Sequence, residues 1–283
     1  MDDRITLWRN TLHLFYESKK PPYIGPFKQA GLSKIVIDSP FITTDSKEMH
    51  PDIVSSGGDG WIVLEITTKP SSKECQLNFY TQINPRNLGT YGLRQHTKEP
   101  DVICARLEPA TDGPFCQLIL RDRLQFNNEA CIKNNSLRKA LNEANDRLDL
   151  HKLPNISIVI VPEMAGKSKE LRRGIFDIVM QLFAKDCEGK TVEQIVKEGL
   201  DKINTCISPR DRSSLESSVK TQMDVLVRDH LSEYLMFDET TRCYKVKEHA
   251  DLHANTKGSI VRELKKWAGG DRSLEEFSEE DPA

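Results

Sequence analysis

The chain has 283 residues, 37% hydrophobic and 29% charged, with a formal net charge of −3. That balance is enough for a buried core and excludes a disordered chain. With no apolar run of about 18 residues, it also excludes a membrane-spanning helix. The charge neither marks nor excludes a nucleic-acid binder, because without the acidic tail 271–283 the body is close to neutral and can still carry a local basic face. Seven cysteines, at 75, 104, 116, 131, 187, 206 and 243, show no C-x-x-C spacing and suit a reducing compartment, where they serve as small core residues. The N-terminal segment MDDRITLWRN has no basic stretch followed by an apolar one, so a cytoplasmic location is expected.

In chain order, residues 4–19 predict a helix, with Ile5, Trp8, Leu12, Phe15 and Tyr16 at three- and four-residue steps and Pro21 and Pro22 as its stop. Residues 33–38 predict a short strand. Two more strands follow at 52–55 and 61–67, joined by Ser56-Gly57-Gly58-Asp59-Gly60, whose glycines permit the positive φ angles of a hairpin turn. The strand at 61–67 is apolar on both faces, as a central strand covered by helices requires. Glu65 inside it is the anomaly, because a carboxylate is rarely buried unless paired or bound to a cation.

Pro70 to Glu74 carries the entry signals of a helix, with Ser71 or Ser72 as N-cap and Leu77, Tyr80 and Ile83 on its inner face. A loop rich in Gly, Arg and His (86–98) leads to strands at 101–107 and 115–120. A helix over 135–150, a buried strand at 156–161 and a helix over 168–185 follow, the last with Leu171, Ile175, Ile178, Val179 and Leu182 on one face. From Thr191 the pattern is nearly all helical (192–203, 213–234, 259–267), broken by an extended piece at 241–246. The change of pattern predicts an α/β domain over 1–188, a mostly helical C-terminal domain over 189–270, and an acidic tail over 271–283.

The order helix, strand, strand, strand, helix, strand over about 4–107 carries Pro51-Asp52, then Glu65, then Lys73, Gln76 and Tyr80 on the following helix. In that frame the chain resembles the PD-(D/E)xK nuclease superfamily and its restriction-endonuclease-like fold, a mixed sheet flanked by helices. The resemblance covers roughly the first 110 residues. It implies a metal-dependent endonuclease acting on phosphodiester bonds, of a restriction or anti-phage defence type, with DNA as a more natural substrate than RNA. It also implies Mg²⁺, with Mn²⁺ as an alternative, held by Asp52, Glu65, the carbonyl of Ile66 and an additional acid at Glu17 near the end of the first helix. Hard oxygen donors suit Mg²⁺, which lowers the pKa of bound water and polarises a phosphate.

The family pattern places a lysine two positions after the strand acid, where this chain has Thr67. Lys69 is the substitute if the strand stays regular, and Lys73 the substitute if the helix supplies the ammonium. Thr67 positioning a water is the third option, and Gln76 supports the site in each. The departure leaves open a catalytically inactive subunit that keeps the fold and binds nucleic acid or a partner protein through its helical C-terminal half, with a homodimer as one assembly. A plain alternative is a turn aspartate behind a proline and a Glu65 facing solvent from an edge strand.

Other motifs weigh less. Ala165-Gly166-Lys167-Ser168 lacks the glycine spacing of a phosphate-binding loop, and His249 and His253 with Cys243 fall short of a closed zinc set. Two basic groups are candidate phosphate contacts: Arg86, Arg94, Gln95, His96 and Lys98 in the loop, and Lys167, Lys169, Arg172 and Arg173 at the helix start.

Overall fold

The computed structural model describes residues 3–19, 22–69, 73–110, 113–153, 164–184, 187–201, 205–248, 250 and 254–269. The expected strand at 156–161, the Ser71 or Ser72 cap, His249 and His253, and the acidic tail lie outside them. The chain forms two compact units, Met1–Ile156 with Leu200–Arg210, and Ser157–Gly199 with Asp211–Ala283.

The first unit begins with α1 (Asp3–His13), which buries Ile5, Leu7, Trp8 and Leu12. The helix stops six residues short of the span expected from its apolar spacing. Instead β1 (Glu17–Lys19) pairs antiparallel with β2 (Pro22–Ile24), and the chain returns through α2 (Pro26–Gln29). The carbonyls of the last helical turn are taken by the turn that follows (Leu14 N–H to Thr11, Phe15 to Leu12, Tyr16 to His13), and the returning chain donates just beyond it, Gly25 to Tyr16 and both Phe27 and Lys28 to Leu14. A Cβ on Gly25 would collide with the carbonyls of His13 and Leu14, so this approach depends on glycine.

The strands β3 (Lys34–Ile37), β4 (Phe41–Ile42), β5 (Glu48–Met49), β6 (Ile53–Ser56) and β7 (Trp61–Ile66) follow, then α3 (Glu74–Tyr80), α4 (Asn87–Thr90), β8 (Asp101–Arg106), β9 (Cys116–Leu120), β10 (Leu124–Asn127) and α5 (Asn135–Ala144). With β12 (Thr205–Ile207), seven of these strands form one mixed sheet in the order β10-β9-β8-β7-β6-β3-β12. The three strands β3, β6 and β7 are an antiparallel meander, after which the chain crosses over through α3 to β8, parallel to β7. As the sequence predicts, β7 is central and all six of its residues are buried. The hairpin between β6 and β7 closes with Gly57 N–H on the Gly60 carbonyl at 2.8 Å. Its glycines are not used for positive φ; Gly57 instead lets the Gly31 carbonyl come within 2.8 Å of where a Cβ would stand.

One face of β7 (Trp61, Val63) packs with Leu77, Tyr80 and Ile83, together with Leu88 and Leu93 from the segment after α3. Asp101 is buried behind this sheet and accepts from the N–H groups of Lys133 and Asn134 at 2.6 and 3.0 Å, which fixes the start of α5. Burial pushes its carboxyl above the usual range.

The second unit contains α6 (Ser168–Gln181), β11 (Lys190–Thr191), most of α7 (Val192–Asp201), most of α8 (Pro209–Val225), β13 (Leu235–Asp238), β14 (Cys243–Val246) and α9 (Ala254–Trp267). The expected apolar stripe of α6 is buried at Leu171, Ile175, Ile178, Val179 and Leu182. In the unit expected to be mostly helical, the extended piece at 241–246 contains β14, the middle strand of a three-stranded antiparallel sheet, β11-β14-β13. The division also differs from the one expected after residue 188. The α6 helix belongs with α9, where Arg172 donates to the Trp267 carbonyl at 3.0 Å and to Gln222 at 2.6 Å. In the opposite direction, β12 is drawn into the first unit by parallel pairing with β3. No helix among the described residues is long and apolar enough to cross a membrane.

Candidate active site

The antiparallel register of β6 and β7 sets Ile53 opposite Leu64. Continuing it by one residue sets Asp52 opposite Glu65. Opposed residues in an antiparallel pair share a face, with Cβ atoms about 4.5–5.5 Å apart. A hydrogen bond brings the Asp52 carboxylate to the same strand end, Asp52 Oδ2 accepting from the N–H of Ile66, the residue after Glu65, at 2.6 Å. The two sequence-predicted carboxylates are therefore neighbours at the carboxyl end of β7.

Glu65 is 6% exposed, which excludes the solvent-facing, edge-strand alternative. Its burial is balanced by three donors. Lys73 Nζ lies 3.1 Å from Oε1, and Gln76 Nε2 and Tyr80 OH donate to Oε2 at 2.9 and 2.8 Å. Lys73 also donates to Gln76 Oε1 at 3.0 Å, and Gln76 Nε2 meets the Tyr80 oxygen at 2.6 Å. Lys73 and Gln76 are three positions apart and Gln76 and Tyr80 four, so the start of α3 and its inner face roof the strand acid. A buried carboxylate is tolerable only under such pairing. Burial, reinforced by the Glu65 charge, pushes the Tyr80 phenol far above its usual range, so it stays a donor.

The lysine beside Glu65 is thus Lys73. Lys69 stays outside for a local reason: β7 ends at Ile66, and the Thr67 hydroxyl accepts from the Lys69 N–H at 3.2 Å, turning the chain. The buried guanidinium of Arg106 donates to the Lys69 carbonyl at 2.5 Å and holds that turn. Lys69 is exposed, and its ammonium has no partner among the described residues. Thr67 is buried, its N–H donating to Ala105 at 3.1 Å, so its side chain shapes the strand exit.

Glu17 is a correction. It lies on β1 rather than on the first helix, is exposed, and stands 3.9 Å from Lys28 Nζ. Among the described residues no group of three or more His, Cys, Asp or Glu side chains comes together to hold a metal ion, so Glu17 does not join the acid pair. Two residues at the site were not anticipated. Arg106 reads as an ordinary strand residue, and only its complete burial shows what it anchors. Asp38 follows β3 in left-handed backbone, φ 42°, and its N–H donates to the Asp52 carbonyl at 3.2 Å. The Asp-Ser-Pro sequence after a strand is the one local signal for it.

No family model, curated protein or solved structure matches the chain.

Proposed function

We propose that the chain is a metal-dependent endonuclease of the restriction-endonuclease-like fold, with DNA as its first candidate substrate. The observation that carries this reading is the placement of Asp52 and Glu65 side by side at the end of the central strands, with Lys73, at the N-cap of α3, 3.1 Å from Glu65. The antiparallel meander followed by a helical crossover to a parallel strand supports the fold assignment.

The donor chemistry fits a hard cation. Two carboxylates on one face, with the Ile66 carbonyl next in line, are the oxygen set that suits Mg²⁺, or Mn²⁺ in its place, with water completing the shell. Two acids fall short of the closed four-ligand set of a structural zinc. A bound divalent ion would polarise a phosphate and lower the pKa of a coordinated water. The chain's own residues then have defined tasks. The Ile66 N–H orients the Asp52 carboxylate; Gln76 and Tyr80 fix the Glu65 carboxylate; Lys73 sets a positive charge beside it where phosphate charge develops.

A second reading is favoured by one observation. Glu65 already uses three of its roughly four acceptor positions on side chains of α3. A network that complete also serves a nuclease-fold subunit that binds nucleic acid or a partner protein without cleaving. The test is incubation of the protein with plasmid DNA, linear DNA and RNA in Mg²⁺ or Mn²⁺, beside Asp52→Ala and Glu65→Ala. Cleavage by the native chain that both substitutions abolish is the expected result. Cleavage that survives both, or none with any substrate, sinks the nuclease reading.

A further inference from the structure

The segments on either side of α4 carry a second concentration of chemistry, at the opposite end of β7 from the acids. Asn84, Arg86, Arg94, Gln95, His96 and Thr97 line a groove of about 550 Å³, and no carboxylate lines it. Its backbone is anchored. The Arg94 N–H donates to Ser56 Oγ at 2.8 Å, the Arg86 N–H to Asn84 Oδ1 at 3.0 Å, and Trp61 Nε1 to the Lys98 carbonyl at 2.8 Å. Its cationic side chains are not. The guanidiniums of Arg86 and Arg94 make no ion pair with any described residue.

Several other surface cations of the first unit do pair, although Lys69 does not pair with any described residue. Lys133 pairs with Glu99 at 2.7 Å, Arg121 with Glu108 at 3.1 Å, and Lys47 with Asp45 at 2.8 Å. In a chain of net charge −3, the groove sets two arginines without ion pairs to described residues together, with no carboxylate among its lining. Guanidiniums with amide and hydroxyl donors along the same groove match the oxygens of a phosphate. His96 adds an independent sign. Hydrogen-bonded to the Gly57 backbone, it keeps its Nε2 buried without a partner, a polar atom that a ligand oxygen or its water would satisfy.

We infer that this groove docks a phosphate of a polynucleotide backbone through Arg86 and Arg94, away from the cleavage centre. The choice of a polynucleotide over a free phosphate rests on the nuclease reading of Asp52 and Glu65. The geometry suits it. Leu88 and Leu93, which lie between Arg86 and Arg94 in sequence, pack in the same core cluster as Val63 and Tyr80, so this segment covers the same face of the sheet as α3. Arg94 is tied to Ser56, opposite Trp61, four residues along β7 from Glu65. At about 3.3 Å per residue that is on the order of 13 Å, well beyond the ~3.4 Å axial rise of one nucleotide. The docked phosphate therefore belongs to a flanking nucleotide, and the contact sets a minimum substrate length on one side of the cut.

The test is fluorescence anisotropy of labelled single- and double-stranded oligonucleotides with the full chain in EDTA, so that no cleavage is required. Arg86→Ala/Arg94→Ala and Arg94→Lys are compared with the native chain across a salt series, each checked for an unchanged melting temperature. Loss of one phosphate contact flattens the log–log salt slope by about one unit and weakens binding regardless of base sequence. The double variant is expected to show that loss and Arg94→Lys an intermediate one. Unchanged affinity and slope in a folded double variant overturns the inference. Inorganic phosphate held as tightly as the oligonucleotide, and lost in the same variant, overturns the polynucleotide source. Arg-dependent binding without any cleavage leaves the inference standing and removes the nuclease reading; cleavage with Arg-independent binding does the reverse.

Discussion

The two ends of β7 treat charge in opposite ways. At the carboxyl end, Glu65 is buried and every donor around it is engaged: Lys73, Gln76 and Tyr80 close on its two oxygens while Ile66 holds Asp52. At the hairpin end, the backbone of the Arg94 loop is pinned to Ser56 and Trp61, but the guanidiniums face a groove with no acidic partner. Low-dielectric surroundings enforce the first arrangement, because an unpaired buried carboxylate costs several kcal/mol. Water permits the second, because an exposed cation is already solvated. A closed network therefore means a position that must not move, and an open pair of cations means a surface that can receive an anion.

The largest break in this comparison is Glu65→Ala, which leaves Lys73 and Tyr80 beside an empty position. We expect it to abolish cleavage and to lower unfolding free energy by about 2–4 kcal/mol, read by urea denaturation. A second substitution separates the two lysines. Lys73→Met should lower the cleavage rate by about 10²–10³-fold, whereas Lys69→Met, at an exposed side chain, should leave it nearly unchanged. The reverse ranking would show that the strand exit rearranges when substrate binds.

Tyr80→Phe removes one donor to Glu65 while keeping the ring in the core. It should cost about 1–2 kcal/mol, visible as a lower melting temperature. Arg86→Ala/Arg94→Ala sits at the other pole: with no ion pair to lose, stability should change by less than about 0.5 kcal/mol while nucleic-acid affinity falls.

The smallest effect is a pH dependence. Burial, aided by Arg94, lowers the His96 pKa from its ordinary 6.5. Between the lowered folded value and 6.5 the unfolded chain binds more protons, so stability rises with pH through that window and is lost as pH falls through it. His96→Asn should flatten this part of the stability profile. An unchanged profile would mean that the imidazole is as accessible as in the unfolded chain.

Local chemistry was legible in the linear sequence. The all-apolar run of Trp61–Ile66 predicts a central strand, and a carboxylate inside such a run must be paired or bound, as Glu65 is. The spacing of Lys73, Gln76 and Tyr80 already sets them toward one side of a helix, because three and four residues make about one turn. These features depend on neighbours a few residues away, and periodicity reports them.

Tertiary structure alone decided the rest. Which lysine serves Glu65 depended on where β7 stops and on the grip of Arg106 on the Lys69 carbonyl, neither of which leaves a periodic trace. Glu17 left the helix because the chain turns after His13 and pairs with the segment that returns through Gly25. The α6 helix joined α9, and Thr205–Ile207 joined β3, across long sequence separations. Periodicity states which face a segment must bury; only packing against distant segments settles which partner buries it and in what register.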